Sequence, residues 1–275
     1  MSVIRGGHVR VNGIRQHYLH FSGSGRPVVI VPGIVSPAIL WAHVGEWLAP
    51  RYDCYVLDVR GRGLSEAGPH LDYGVGACAQ DAAAFVAALG LTEPLLIGHS
   101  MGARISLRAA TLAPERLHAL ILLDPPTSGP GRRPYPVPLA RTLALLRASQ
   151  RGEAAQALAA SAAAPWPEEL HRLRAEWLST CDERAAYVAS DDFHGQDMFA
   201  DLARTTMPIS LICAGEGGVV SDEDVEEMQR LRPDLHAVRL AGAGHQMQAE
   251  NFDAFSRLLE QTLLRHDQEF IRSNH

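Results

Sequence analysis

The sequence predicts an α/β protein with a mostly parallel sheet, doubly wound by helices on both faces. Three observations carry that prediction. Short runs such as Val28–Val31, Cys54–Leu57 and Leu120–Leu123 are continuously apolar rather than alternating, the pattern of strands buried on both faces. Helix-compatible segments fall between these runs, and strands that alternate with helices pair in parallel through crossovers. One apolar run, Leu95-Leu96-Ile97, passes into Gly98-His99-Ser100-Met101-Gly102 and then into a helical segment, Ala103 to Ala113. That order is strand, sharp turn, helix, with a serine at the apex.

Taken in order, His8 to Phe21 alternates around Asn12-Gly13, a hairpin signal. Val28–Val31 is the first buried parallel strand. It runs into Pro32-Gly33-Ile34-Val35-Ser36 and an amphipathic segment, Ala38 to Leu48. Cys54–Leu57 is the next strand and ends at Asp58-Val59-Arg60-Gly61-Arg62-Gly63-Leu64-Ser65. Tyr73 to Leu89 is Ala-rich and helical, and the serine-bearing unit follows, then Leu120–Leu123 and Asp124. The pattern changes at Pro125: six prolines and two arginines lie between Pro125 and Pro138, and no buried strand returns before Ile209. A stretch this long is more than an ordinary crossover. Residues 127–205 are therefore expected to form a helical lid inserted into a core of residues 1–126 and 206–275. The alanine run at 154–164 is helix-forming. Pro208 to Gly215 resumes the sheet, Asp222 to Leu231 is a helix, Leu235 to Leu240 a last strand, and Phe252 to Leu264 the closing helix.

Composition bounds the function. With 275 residues, 47% of them hydrophobic, the chain can bury one large core or a core with an insertion. A net charge of −6 argues against nucleic acid or an anionic membrane as partner. All 25 basic residues are arginine, so chemistry that needs a lysine amine, a Schiff base or a P-loop, is excluded. Arginine's planar fork suits carboxylates. Cys54, Cys78, Cys181 and Cys213 are scattered, and read as free thiols rather than a disulfide frame or a zinc site. The start of the chain has no basic-then-apolar leader, and no run of about 18 apolar residues occurs. The expectation is a cytoplasmic protein with a small-molecule substrate, no cofactor, no metal and no membrane contact; the sequence leaves its oligomeric state open.

A serine hydroxyl is a poor nucleophile until a base takes its proton, so it must be exposed to a histidine that an acid orients. Ser100 is the candidate nucleophile. His245, after the last strand in Gly242-Ala243-Gly244-His245, reaches the same carboxyl edge of the sheet and is the candidate base. His99 is adjacent to Ser100 and on a tight turn points away. For the acid, Asp124 ends the strand neighbouring that of Ser100, whereas Asp222 and Glu216 follow the next strand and Asp222 reads better as a helix N-cap than as a catalytic acid. Asp124 needs no loop to carry it to the site and is preferred. The backbone N–H groups of Met101 and Ile34 are the candidate oxyanion donors.

The motifs Val31-Pro32-Gly33, Asp58-x-Arg60-Gly61-x-Gly63-x-Ser65, Gly98-His99-Ser100-Met101-Gly102 and Gly244-His245 together resemble the α/β-hydrolase family in order and spacing. That resemblance implies the α/β-hydrolase fold and a Ser100–Asp124–His245 triad. Two departures stand out. Pro32-Gly33 occupies the place of the family's frequent His-Gly. The family's usual acid position falls near Gly217-Gly218, where this chain has no carboxylate, which favours Asp124. A closer likeness, through Asn12–Tyr18, Tyr55–Ser65, Asp124–Pro136, Arg174–Leu178, Asp191–His194 and Gly217–Val219, is to a deformylase branch of the family. It implies removal of a formyl group from a small amide bearing a carboxylate. Arg132 or Arg133, with Tyr135, is expected to bind that carboxylate.

Overall fold

Asn12 and Gly13 both take positive φ, 44° and 79°, and turn the chain back on itself. This joins β1 (Ile4–Val11) to β2 (Ile14–Phe21) as an antiparallel hairpin with Val11 opposite Ile14. The computed structural model describes residues 4–160 and 166–273. β2 pairs antiparallel with β4 (Asp53–Leu57), and every later pairing is parallel. With β3 (Pro27–Val31), β5 (Leu95–His99), β6 (Ala119–Leu123), β7 (Ile209–Ala214) and β8 (His236–Leu240), the sheet has eight strands in the order β1-β2-β4-β3-β5-β6-β7-β8. The central strands are buried along almost their whole length, as their unbroken apolar runs require. β8 is an edge strand and is half-exposed.

Side chains on alternate strand positions feed two apolar layers. Val29, Val31, Leu96, Leu120 and Leu122 face α2 (Val75–Ala88) and α3 (Met101–Leu112). Val28, Ile30, Leu95, Ile97 and Ile121 face α1 (Ala42–Leu48) and the closing helix α11 (Phe252–Ser273). α11 extends past the expected Leu264. A short α10 (Met247–Glu250), which no periodicity announces, precedes it. Helix α9 (Asp222–Leu231) starts with a capping box between Ser221 and Asp224, so Asp222 lies in its first turn and pairs with Arg239.

Between β6 and β7 the chain forms α4 (Leu139–Gln150), α5 (Ala154–Ala160), α6 (Glu168–Trp177), α7 (Glu183–Gly195) and α8 (Met198–Arg204). α5 covers the first part of the alanine run; residues 161–164 lie outside the described residues. Asp182 and Asp197 cap α7 and α8 by accepting backbone N–H groups. The last two helices do not stand apart from the sheet: Ala189 and Phe193 of α7, and Met198, Phe199 and Leu202 of α8, belong to the same apolar layer as α2 and α3.

Candidate active site

The sharp turn after β5 places Ser100 at φ 53°, ψ −119°, a conformation few non-glycine residues adopt. Its neighbours explain how the turn closes. A Cβ on Gly102 would lie 1.8 Å from the Val31 carbonyl oxygen, and one on Gly98 would lie 2.4 Å from that of Gly102. Only glycine lets β3, β5 and α3 meet here. The Ser100 N–H donates to the Leu123 carbonyl at 2.9 Å, which fixes the serine at the carboxyl edge of the sheet beside β6.

Asp124 ends β6 with φ 42°, and its N–H donates to the Ile212 carbonyl of β7. Its carboxylate is fully buried. It accepts the Val219 N–H at 3.0 Å and the Ala214 N–H at 3.3 Å, and one oxygen lies 2.6 Å from His245 Nδ1. Burial pushes this carboxyl's pKa up. The hydrogen bond and charge of His245, with the two amides, outweigh that and hold it below the usual carboxylate range. Gly218 stands 3.1 Å from Asp124 through a Cβ it does not have, so the family's usual acid position abuts the carboxylate actually present. His245 Nε2 lies 3.0 Å from Ser100 Oγ. The structure thus brings Ser100, His245 and Asp124 into one hydrogen-bonded line. Glu250 of α10 steadies the imidazole's loop by accepting the N–H groups of Gly244, at 2.6 Å, and Gln246, at 3.2 Å.

His99 is turned away from the serine hydroxyl, as expected. Its Nε2 lies 2.8 Å from the His245 carbonyl oxygen, and its ring is buried beside Trp41. Burial, and then the charge of His245, pull its pKa down to about 3, so it stays neutral and donates through Nε2. Met101 opens α3 directly after Ser100. A Cβ on Gly33 would lie 3.4 Å from Ser100 Cβ, so the loop holding Ile34 lies against the serine.

Ser100 and His245 open into a cavity of about 480 Å3 walled by Gly33, Ile34, Tyr135, Phe193 and residues of α4 to α6. Tyr135 shares this cavity with Ser100; burial pushes its phenol pKa up to about 12, so it keeps its proton. Arg132 and Arg133 are placed differently from the sequence expectation. Arg132 forms a two-pronged ion pair with Glu227, at 2.7 and 2.8 Å, and lies over the Phe199 ring. Arg133 bonds Asp224, Thr127 and the Val219 carbonyl. Neither lines the cavity. Two arginines not anticipated there do: Arg141 of α4 and Arg174 of α6. Arg174 packs 4.6 Å from the centre of the Trp166 ring, and burial together with the Arg141 charge lowers its pKa to about 10. The Arg174 guanidinium is therefore charged at neutral pH, and neither arginine pairs with a carboxylate among the described residues. The sequence signal was slight: Arg174 lies three residues before Trp177, on a helix whose cavity-facing side depends on tertiary packing.

A hydroxyl, an imidazole and a buried carboxylate in line, at the carboxyl edge of a mostly parallel sheet, define a hydrolase-type site. The chain matches the alpha/beta hydrolase fold family over residues 26–252, and it belongs to that family. It is 48% identical to N-formylmaleamate deformylase of Pseudomonas putida, across 92% of this chain and 94% of that one. A crystal structure of an N-formylmaleamic acid deformylase from Pseudomonas putida S16, a serine-to-alanine variant, superposes with a TM-score of 0.87 at 42% identity, covering 93% of this chain and all of that one. A 2-(acetamidomethylene)succinate hydrolase of Mesorhizobium japonicum is 27% identical across 81% of this chain and 82% of its own.

Proposed function

We propose that this chain is a serine hydrolase that cleaves the formyl C–N bond of N-formylmaleamate, giving formate and maleamate. Ser100 Oγ attacks the formyl carbon while His245 Nε2 takes its proton, and Asp124 stabilises the imidazolium through Nδ1. The N–H groups of Ile34 and Met101 receive the negative oxygen of the tetrahedral intermediate. Collapse breaks the C–N bond, and His245 returns the proton to the departing nitrogen. That nitrogen stays conjugated to the second carbonyl, so it leaves more readily than a simple amine. Water, activated by the same imidazole, then releases formate from formyl-Ser100.

The observation that carries this reading is the Ser100–His245–Asp124 line opening into a cavity that also presents two uncommitted guanidiniums. A small substrate carrying one carboxylate meets the charge it needs at Arg174, with Arg141 beside it. The near-full-length likeness to a deformylase selects the formyl amide among the substrates such a site could take. Tyr135 acts at the reacting centre, next to Ser100, rather than on the carboxylate. Helices α4 to α8 act as the lid of this cavity, and α7 and α8 anchor it to the sheet. A comparison of kcat/KM for N-formylmaleamate and 2-(acetamidomethylene)succinate tests the choice of substrate. The formyl compound should be preferred at least about 10-fold, since it has the smaller acyl group, the better leaving nitrogen and one carboxylate rather than two. Equal values, or a preference for acetyl, would refute it.

A further inference from the structure

Two arginines, Arg62 and Arg104, are buried with no ion pair among the described residues. Arg104 donates to the carbonyls of Ser128, Phe193 and Gln196, and so fastens α7 to α3. Arg62 is more unusual. It is 1% exposed, and each of its three nitrogens meets a neutral acceptor. Nε donates to the Ile34 carbonyl at 3.0 Å, and Nη1 to the Arg60 carbonyl at 2.8 Å. Nη2 reaches the Ala185 carbonyl of α7 at 2.9 Å and Met101 Sδ at 3.4 Å. Ile34 and Met101 are the two residues whose amides are proposed to receive the oxyanion. They come from different parts of the chain, and one guanidinium touches both.

A charge in a low-dielectric interior without a counter-ion is costly, and fixed positive charge is most useful where negative charge appears only in the transition state. We propose that Arg62 is the positioning residue of the oxyanion site. Its fork sets the Ile34 loop and the start of α3 relative to each other, and holds a positive charge in contact with both. The contact with Ala185 ties that setting to α7, which closes one side of the cavity. Arg62 does not touch substrate; it acts through Ile34 and Met101. The inference rests on the serine-hydrolase reading, although not on the identity of the acyl group.

The test compares ligands that do and do not build a tetrahedral anion. A small alkylboronic acid, which adds to a serine hydroxyl to form one, and maleamate, which does not, are titrated into wild type, Arg62→Met, Arg62→Lys and Arg104→Met. p-Nitrophenyl formate serves as substrate, so if N-formylmaleamate is not turned over and maleamate does not bind, the split of kcat against KM on this ester, set beside boronate affinity, decides the test instead. Arg62→Met should lower kcat on the order of 10-fold or more, below the roughly 100-fold cost of deleting an oxyanion donor outright. Boronate affinity should fall with it, while KM and maleamate affinity stay within about twofold. Arg62→Lys, which keeps the charge and loses the fork, should recover part of the loss and decides the matter if Arg62→Met does not fold. Arg104→Met should lower thermal stability without changing the ratio of boronate to maleamate affinity. The proposal is overturned if the two affinities fall together in the Arg62 variants, or if neither changes.

Discussion

At the scale of single residues, the site depends on keeping one imidazole in one tautomer. Asp124 does this from full burial, accepting from His245 Nδ1 at 2.6 Å. Asp124→Asn keeps the shape and presents a donor as readily as an acceptor, so the ring is free to turn its wrong nitrogen toward Ser100. Turnover should drop on the order of 10⁴-fold with KM little changed, as steady-state kinetics would show. His99 carries a different consequence. Its folded-state pKa, about 3, lies below the ordinary 6.5. The unfolded chain therefore binds a proton there that the folded chain refuses. The contribution to stability is fully present above about pH 6.5 and is lost as pH falls toward 3. His99→Gln keeps a donor for the His245 carbonyl and removes this titration. Its denaturant-derived stability should fall less steeply with acid, by up to about 1.4 kcal/mol per pH unit in that window; an unchanged slope would contradict the assignment. That Ser100, Asp124 and His245 meet was legible in the sequence because each candidate follows a recognisable strand end. The placement of Arg132 and Arg133 was not, because Glu227 and Asp224 meet them from α9, far along the chain. Which carboxylate an arginine finds is a tertiary fact.

At the scale of elements, the passage from β5 to α3 is the tightest point. Gly102→Ala sets a methyl against the Val31 carbonyl of β3, where neither side is a flexible side chain. Overpacking against backbone should destabilise by about 3 kcal/mol or more and abolish activity in whatever folds. Gly76, in the first turn of α2, has nothing within 4 Å of its missing Cβ. Gly76→Ala should leave activity intact and stabilise by about 0.5–1 kcal/mol. A thermal melt of the two variants checks both signs. The strands themselves were readable from apolar runs, since burial on both faces leaves no room for alternation. Their limits held for β3 to β7. β8 is less buried than the central strands because it has a neighbour on one side only. α10 escaped notice because four residues carry no period. The seating of α7 and α8 on the sheet's apolar layer is set by packing at Phe193, Phe199 and Leu202, which a helical pattern alone does not assign to a partner.

At the scale of the whole molecule, the fold brings residues about 145 positions apart, Ser100 and His245, to one rim and roofs them with helices from the β6–β7 connection. No helix among the described residues is long and apolar enough to cross a membrane. The roof supplies the charge: Arg174 and Arg141 line the cavity, while Arg132 and Arg133 are spent in holding the proline-rich segment to α9. Arg174→Ala should therefore raise KM for an anionic substrate by about 10- to 100-fold, the worth of one hydrogen bond to a charged group, while kcat changes less. Arg132→Ala and Arg133→Ala should leave KM within about threefold and lower the melting temperature instead. A KM that rises in the Arg132 or Arg133 variants and not in Arg174→Ala would reverse the assignment. The central claim is that Ser100 takes the formyl group of N-formylmaleamate, and the most direct measurement is formate released by the purified chain and by its Ser100→Ala variant. Catalytic release of formate, stoichiometric with maleamate and lost in the variant, is the predicted result; no release by the wild type, or equal release by both, would contradict it.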